Sequence, residues 1–321
     1  MKKVKVGLIG AGYMGRNHAR ILSEESGFDF VGIYDPDSDR AGLVAKEFDA
    51  EVFETAEMLL ESVEAVIIAT PSSLHKDISL MAADRGVHAL VEKPLATNSR
   101  DAREIQEVFD QKGLVLSVGH IERFNPSFKE LQKIVDPAKV FFLEACRFSP
   151  YVSSGRITDT SVIEDLMIHD VDLICALMGD RKITSVQAKG EPVMSKRTDF
   201  ATCVMDFDGK AHAVINSSRV SQNKERTIIV HTSEGCIRAD LLTRTIEIQK
   251  STNMIVNLTE DNSYKQDSIV QKVYVPIVEP LRAELDAFYN AVTGQGPNCV
   301  DGKVGVRAIE ICEEVAGLIS R

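Results

Sequence analysis

The sequence predicts an α/β protein in two parts: an N-terminal doubly wound parallel sheet, then an α+β domain built on a large, mostly antiparallel open sheet. Three observations carry this reading. A strand pattern runs into Gly10-Ala11-Gly12-Tyr13-Met14-Gly15 and on into a helical stretch; short apolar runs rich in β-branched residues alternate with helical stretches to residue 119; beyond residue 179, strand patterns follow one another with turn residues between. Strand–helix alternation marks a parallel sheet covered on both faces, and a succession of strands marks an antiparallel one.

The first strand, residues 4–9, leads into the glycine turn and a helix over 16–25. Gly10 permits the tight turn, Gly12 lets the backbone approach a pyrophosphate, and Gly15 lets the helix lie close to the strand. The free N–H groups at the helix start face an anion, and Tyr13 and Met14 of the turn count among the cofactor contacts. A second strand, 30–34, ends at Asp35, twenty residues past Gly15. A carboxylate there accepts hydrogen bonds from ribose hydroxyls and repels a 2′-phosphate. The unit therefore reads as a Rossmann-type dinucleotide site for NAD rather than NADP.

Helices over 39–48 and 55–61 follow, then the apolar central strand 64–69, which ends at Thr70-Pro71-Ser72-Ser73-Leu74-His75. Open α/β sheets bind ligands at the carboxyl ends of their strands, so Pro71 stands at the cofactor crevice. A helix over 75–85, a strand over 87–91 ending in Glu92-Lys93-Pro94, a helix over 99–112 and a strand over 114–118 complete a sheet of about six strands. This places an NAD-binding domain over 1–121. A substrate-binding and oligomerisation domain takes up 122–321, with the two C-terminal helices, 280–292 and 303–320, able to pack back on the first.

In the second part, 125–135 reads as a helix and 139–148 as a strand with Phe141, Leu143 and Ala145 on one face. Residues 161–178 read as one helix, by length and by Val162, Leu166, Val171 and Ile174. Strands follow over 184–190, 201–207, 211–217, 226–232, 236–240 and 245–249, with Asp208-Gly209 a hairpin turn. The polar stretch 251–267 reads as an exposed loop. An open sheet of this kind can leave a face for a second subunit.

At 44% hydrophobic and 26% charged residues the chain has a soluble globular profile, and its net charge of −11 argues against a nucleic-acid partner, while leaving room for a small anionic substrate. The six cysteines are scattered without a CxxC pair or metal spacing, so they read as reduced thiols and no metal is expected. No apolar run is long enough for a membrane helix and no signal core opens the chain, which points to the cytoplasm.

Three groups could carry chemistry. Lys93, held extended by Pro94 at the cofactor edge, is either solvated or beside the nicotinamide. Asp165, His169 and Asp172 share one helix face, as a polar stripe or as the lining of a pocket. Arg123, at the junction of the two parts, is either an interdomain ion pair or a ligand contact.

Together, the glycine loop, Ala69-Thr70-Pro71-Ser72-Ser73-Leu74-His75, Glu92-Lys93-Pro94 and Asp165 with His169 in an AspXXXHis pattern resemble the Gfo/Idh/MocA family of oxidoreductases over the whole chain. The resemblance implies that Lys93 is the catalytic lysine, His169 the general base, and Asp165 a binder of substrate hydroxyls. It also implies that Glu92, Thr70, Pro71 and His75 line the cofactor cleft and that Arg123 lies near the nicotinamide ribose. The residues before Asp165 depart from the glycines many relatives carry. With Arg123-Phe124-Asn125-Pro126 and Arg156-Ile157-Thr158-Asp159, they look most like the subgroup that includes UDP-N-acetylglucosamine 3-dehydrogenases.

That implies an NAD-dependent dehydrogenase turning a secondary hydroxyl of a UDP-N-acetylhexosamine into a ketone at the 3-position, with Asn125 and Arg156 as substrate contacts and Arg123, Arg147 and Arg156 serving its anionic part. A base for the hydroxyl proton and a cation for the developing alkoxide are what the chemistry requires, and Lys93 would do the polarising that a metal does elsewhere. A free sugar or inositol is the alternative substrate, a non-catalytic NAD-binding regulator the alternative of another class, and a homodimer or homotetramer the implied assembly.

Overall fold

The computed structural model describes residues 3–25, 27–150, 160–251 and 268–320. The chain forms two compact units, one of residues 1–124 with 279–313 and one of 125–278 with 314–321.

In the first unit β1 (Val4–Ile9), α1 (Tyr13–Glu24), β2 (Phe28–Tyr34), α2 (Ser38–Phe48), β3 (Glu51–Val52), α3 (Ala56–Glu61), β4 (Ala65–Ile68), α4 (His75–Asp84), β5 (His88–Glu92), α5 (Ser99–Lys112) and β6 (Leu116–Gly119) alternate as expected. Among the described residues the strands form one parallel sheet of order β3-β2-β1-β4-β5-β6. The order reverses beside β1, and a sheet of this class opens its ligand crevice at such a point. Central β4 is buried along its whole length, as a strand covered on both faces must be. Helix α5 begins and ends where its sequence signals place it: Asn98 accepts from the Asp101 N–H at the N-cap, and Gly113, at φ +64°, closes the helix. The two-residue β3 was not foreseen.

In the second unit α6 (Pro126–Ile134), β7 (Val140–Phe148) and α7 (Ile168–Met178) precede β8 (Ile183–Glu191), β9 (Phe200–Phe207), β10 (Ala211–Ser218), β11 (Glu225–Thr232), β12 (Gly235–Asp240), β13 (Thr245–Ser251) and β14 (Ser268–Val273). The sheet order is β14-β13-β12-β11-β7-β10-β9-β8, antiparallel except where β7 and β10 run parallel. Helix α7 lies against β7 and β10, over Leu143, Ala145, Ala213 and Ile215. Phe141 is not on that face. Val140 pairs with Thr232 and Phe142 with His231, so Phe141 is the extra residue of a bulge and its ring stands half exposed. Strand β14 was not anticipated, and the loop expected over 251–267 falls almost entirely outside the described residues.

The final helices are α8 (Pro280–Val292) and α9 (Gly302–Ile319). Helix α8 belongs to the first unit: Leu281, Leu285, Phe288 and Tyr289 join the core of β1, β2 and α1, with the Phe28 ring 5.5 Å from that of Tyr289. Helix α9 gives residues 302–313 to the first unit and 314–319 to the second. Among the described residues no helix is long and apolar enough to cross a membrane, and no group of three or more His, Cys, Asp or Glu side chains is placed to hold a metal ion.

Candidate functional site

The glycine loop leaves β1 at the edge where the sheet order reverses. Gly10 sits at φ +100°, and a Cβ there would stand 2.6 Å from the Ala69 carbonyl oxygen. A Cβ on Gly15 would lie 1.9 Å from the Gly10 oxygen, so α1 approaches its own entry turn as closely as only glycine allows. Gly12, the N-cap of α1, has open space where a Cβ would point. Beside the loop, the Thr70 hydroxyl is buried and without a hydrogen-bond partner among the described residues. A glycine-lined helix N-terminus with open space at Gly12 fits the pyrophosphate of a dinucleotide.

Asp35 is buried at the end of β2. Its Oδ2 accepts from the Ala11 N–H at 2.7 Å and its Oδ1 from the Asp37 N–H at 2.9 Å, so it ties the loop to the next strand. Each carboxylate oxygen keeps a second lone pair for a ribose hydroxyl. Arg40, a cation that a 2′-phosphate would need, pairs with Asp37 at 2.8 Å and stands 3.8 Å from Asp35.

Two residues expected to line the cleft turn inward. Glu92 ends β5 buried, its Oε1 2.9 Å from Nε2 of the fully buried His18 on α1. Burial alone would raise the Glu92 carboxyl, but the hydrogen bond and charge of His18, with the Lys93 charge, hold it below the usual carboxylate range. Gly119 on β6 makes room for this side chain: a Cβ there would meet Glu92 Oε2 at 3.0 Å. His75 is 1% exposed, and both its ring nitrogens face backbone carbonyls. Lys93, half-buried, follows Glu92 and donates its N–H to Glu92 Oε2 at 3.3 Å; the Lys93–Pro94 peptide bond is cis. Arg123 lies in the short helical turn Ile121–Phe124 that closes the first stretch of this unit.

In the second unit the expected single helix over 161–178 is instead a π-turn, Ile163–Met167, running into α7, with the Ile168 N–H reaching back to the Ile163 carbonyl. Both sides of the turn are anchored. On one side the Glu164 carboxylate accepts from the Ser161 N–H and hydroxyl, and the Val162 N–H donates to the Thr198 carbonyl. On the other, Arg147 grips Asp170 through two bonds of 2.9 Å, both side chains buried. The extra residue between these anchors is taken up by widening one turn, and such π-turns recur at functional sites. The widened turn carries Asp165, and His169 is the second residue of α7; both are half-buried.

Arg147 is thus a structural cation rather than an anion binder. Asn125 is similarly committed: its Oδ1 accepts from the Ser127 N–H as the cap of α6 and its Nδ2 donates to the Leu241 carbonyl. Arg156 lies outside the described residues. Sequence reasoning missed a second buried pair, Asp199 with Arg219. Burial would raise the Asp199 carboxyl, but the Val193, Ser195 and Met194 N–H groups and the Ser195 hydroxyl hold it well below its ordinary value. Arg219 bonds Asp199 at 2.8 Å and the Thr160 carbonyl at 2.7 Å, just before the anchored turn. Only a shared fold brings Asp199 and Arg219 together, and no local pattern announces it.

Against known proteins, the model of an oxidoreductase family with an NAD-binding Rossmann fold, GFO/IDH/MocA, matches residues 4–120, and that of a GFO/IDH/MocA C-terminal domain matches residues 146–238. The UDP-N-acetylglucosamine 3-dehydrogenase of Acidithiobacillus ferrooxidans is 30% identical over 98% of this chain and 97% of its own. A solved structure of that enzyme superposes with a TM-score of 0.90 at 29% identity, covering 99% of this chain and 98% of the other. An inositol 2-dehydrogenase of Corynebacterium glutamicum is 32% identical over 59% of this chain and 58% of its own.

Proposed function

Because the chain belongs to the GFO/IDH/MocA family of oxidoreductases, we propose that it oxidises a secondary hydroxyl of a nucleotide sugar, the 3-hydroxyl of a UDP-N-acetylhexosamine, with NAD as acceptor. The observation that carries this reading is the likeness to a nucleotide-sugar dehydrogenase over nearly the full length of both chains. The glycine cradle and Asp35 supply the place for the cofactor, with Tyr13, Met14, Thr70, Pro71 and Arg123 as further contacts. NAD, when bound, accepts a hydride from the sugar carbon.

The chain's own groups handle the rest of the balance. His169 in its neutral form takes the hydroxyl proton as the carbon gives up its hydride. The Lys93 ammonium offsets the negative charge that develops on that oxygen, and Asp165 accepts hydrogen bonds from neighbouring hydroxyls. NAD is preferred over NADP because the Asp35 carboxylate repels a 2′-phosphate, while Arg40, the nearby cation, is held by Asp35 and Asp37. The outward face of the second sheet serves self-association.

The test is to mix the purified protein with NAD and, in turn, UDP-N-acetylhexosamines, free sugars and inositols, following reduced nicotinamide by absorbance. Reduction with a UDP-N-acetylhexosamine supports the reading. Reduction with inositol alone moves the protein towards its inositol-dehydrogenase relatives, and NAD binding with no turnover on any of them favours a regulator.

A further inference from the structure

His75 opens α4 directly behind the Thr70-Pro71 turn, and its position gives it a job that lining a cleft does not explain. The ring is 1% exposed, with Nδ1 2.8 Å from the Pro94 carbonyl oxygen and Nε2 2.9 Å from the Thr70 carbonyl oxygen. Carbonyls only accept, and burial holds the imidazole below its ordinary pKa, so the neutral ring donates its one N–H to one of these carbonyls and packs its other nitrogen against the second. With both nitrogens turned to the backbone, the side chain has no polar atom left for a cofactor or substrate. The two carbonyls belong to the turns that leave β4 and β5, neighbours in the parallel sheet, at its carboxyl edge. One of those turns carries Lys93.

We propose that His75 is a positioning residue for Lys93, a strut between the Lys93-Pro94 turn and the Thr70-Pro71 lip of the cofactor crevice. The Lys93 backbone is then held from both sides. Its N–H donates to Glu92, which is itself fixed by His18, and, with the imidazole proton on Nδ1, the carbonyl of the residue after it accepts from His75. Without the strut, the turn loses its tie to the neighbouring β4 turn, and Lys93 loses its set distance from the crevice. Displacing a catalytic group by about 1 Å lowers turnover by up to roughly a hundredfold even where the fold survives.

The inference rests on the reading of Lys93 as the group that polarises the substrate hydroxyl, and its test separates the two. Phenylalanine at position 75 fills the space without a donor, asparagine places an amide N–H near where Nδ1 stands, and glutamine places one near Nε2. His75→Phe is expected to lower kcat by about tenfold to a hundredfold, with the loss falling on kcat rather than on KM for NAD. His75→Asn, which restores the bond to Pro94 beside Lys93, should recover more of that loss than His75→Gln. In the protein without cofactor, nitrogen-edited proton spectra should show a His75 ring N–H that exchanges slowly with solvent and is missing from His75→Phe. A fast-exchanging ring, or three variants with the same kcat, overturns the strut. Turnover surviving in Lys93→Ala overturns the Lys93 reading instead, whatever His75 does.

Discussion

Replacing Arg147 by methionine removes one half of an ion pair that lies almost wholly out of water. The guanidinium donates twice to Asp170, at 2.9 Å each, and the two side chains are 1% and 2% exposed. Methionine keeps much of the volume but strands the Asp170 carboxylate against the apolar underside of α7. Breaking a buried pair from one side costs about 3–5 kcal/mol, against a total stability of about 5–15 kcal/mol for a typical domain. Removing both partners, as in Arg147→Met with Asp170→Leu, also removes the uncompensated charge, and hydrophobic replacement of a whole pair is often neutral or better. Chemical denaturation followed by circular dichroism should therefore show the single variant far less stable than the wild type and the double variant close to it. Because Asp170 adjoins His169, the single variant should also lose turnover, and the double variant should recover stability better than activity. A loss below about 1 kcal/mol in the single variant, the value of an exposed pair, would refute the reasoning. So would a double variant whose loss equals the sum of the two singles.

Three further outcomes follow from the first unit. Gly15→Ala forces a Cβ onto the Gly10 oxygen and should destabilise the fold by about 1–3 kcal/mol, whereas Gly12→Ala, which meets only open space, should leave thermal stability within about 0.5 kcal/mol yet weaken NAD binding in a calorimetric titration. Glu284 on α8 is buried, with neither carboxyl oxygen bonded among the described residues, and burial, with the Glu92 charge, pushes its carboxyl well above the ordinary value. The folded protein then keeps a proton that the unfolded chain releases, so stability falls as pH rises from the unfolded carboxyl value of about 4.3 towards the raised folded one. Glu284→Gln lacks that slope, and its melting temperature should gain on the wild type's across this window; parallel curves would contradict the burial argument. Asp35→Ser should raise the use of NADP relative to NAD by about tenfold or more, read as the ratio of kcat/KM values for the two cofactors.

Local chemistry decided which parts of the molecule were legible in advance. The glycine loop, the buried run of β4 and the capped helix α5 each announce themselves within a few residues, because turn sterics, strand burial and capping act over that range. Strand β3 is too short and too polar to carry a period. The bulge that turns Phe141 outward depends on how β7 registers with β11, some ninety residues on. The π-turn depends on anchors at Thr198 and Arg147 that no window over 161–178 contains. The roles of site residues divide in the same way. Gly10, Gly12 and Gly15 could be assigned from spacing, but Glu92, His75 and Arg147 are polar residues near the expected site whose partners, His18, the Pro94 carbonyl and Asp170, lie 74, 19 and 23 positions away. Without those partners in view, a buried structural group reads as a ligand contact.

The central claim is that Lys93 and His169 act on one hydroxyl while NAD takes the hydride. It is tested most directly by following NADH formation from NAD and a UDP-N-acetylhexosamine in the wild type, Lys93→Ala and His169→Ala, with NAD affinity measured alongside. The account predicts turnover in the wild type and loss of it in both variants while each still binds NAD. Variants that reduce NAD at the wild-type rate would contradict it.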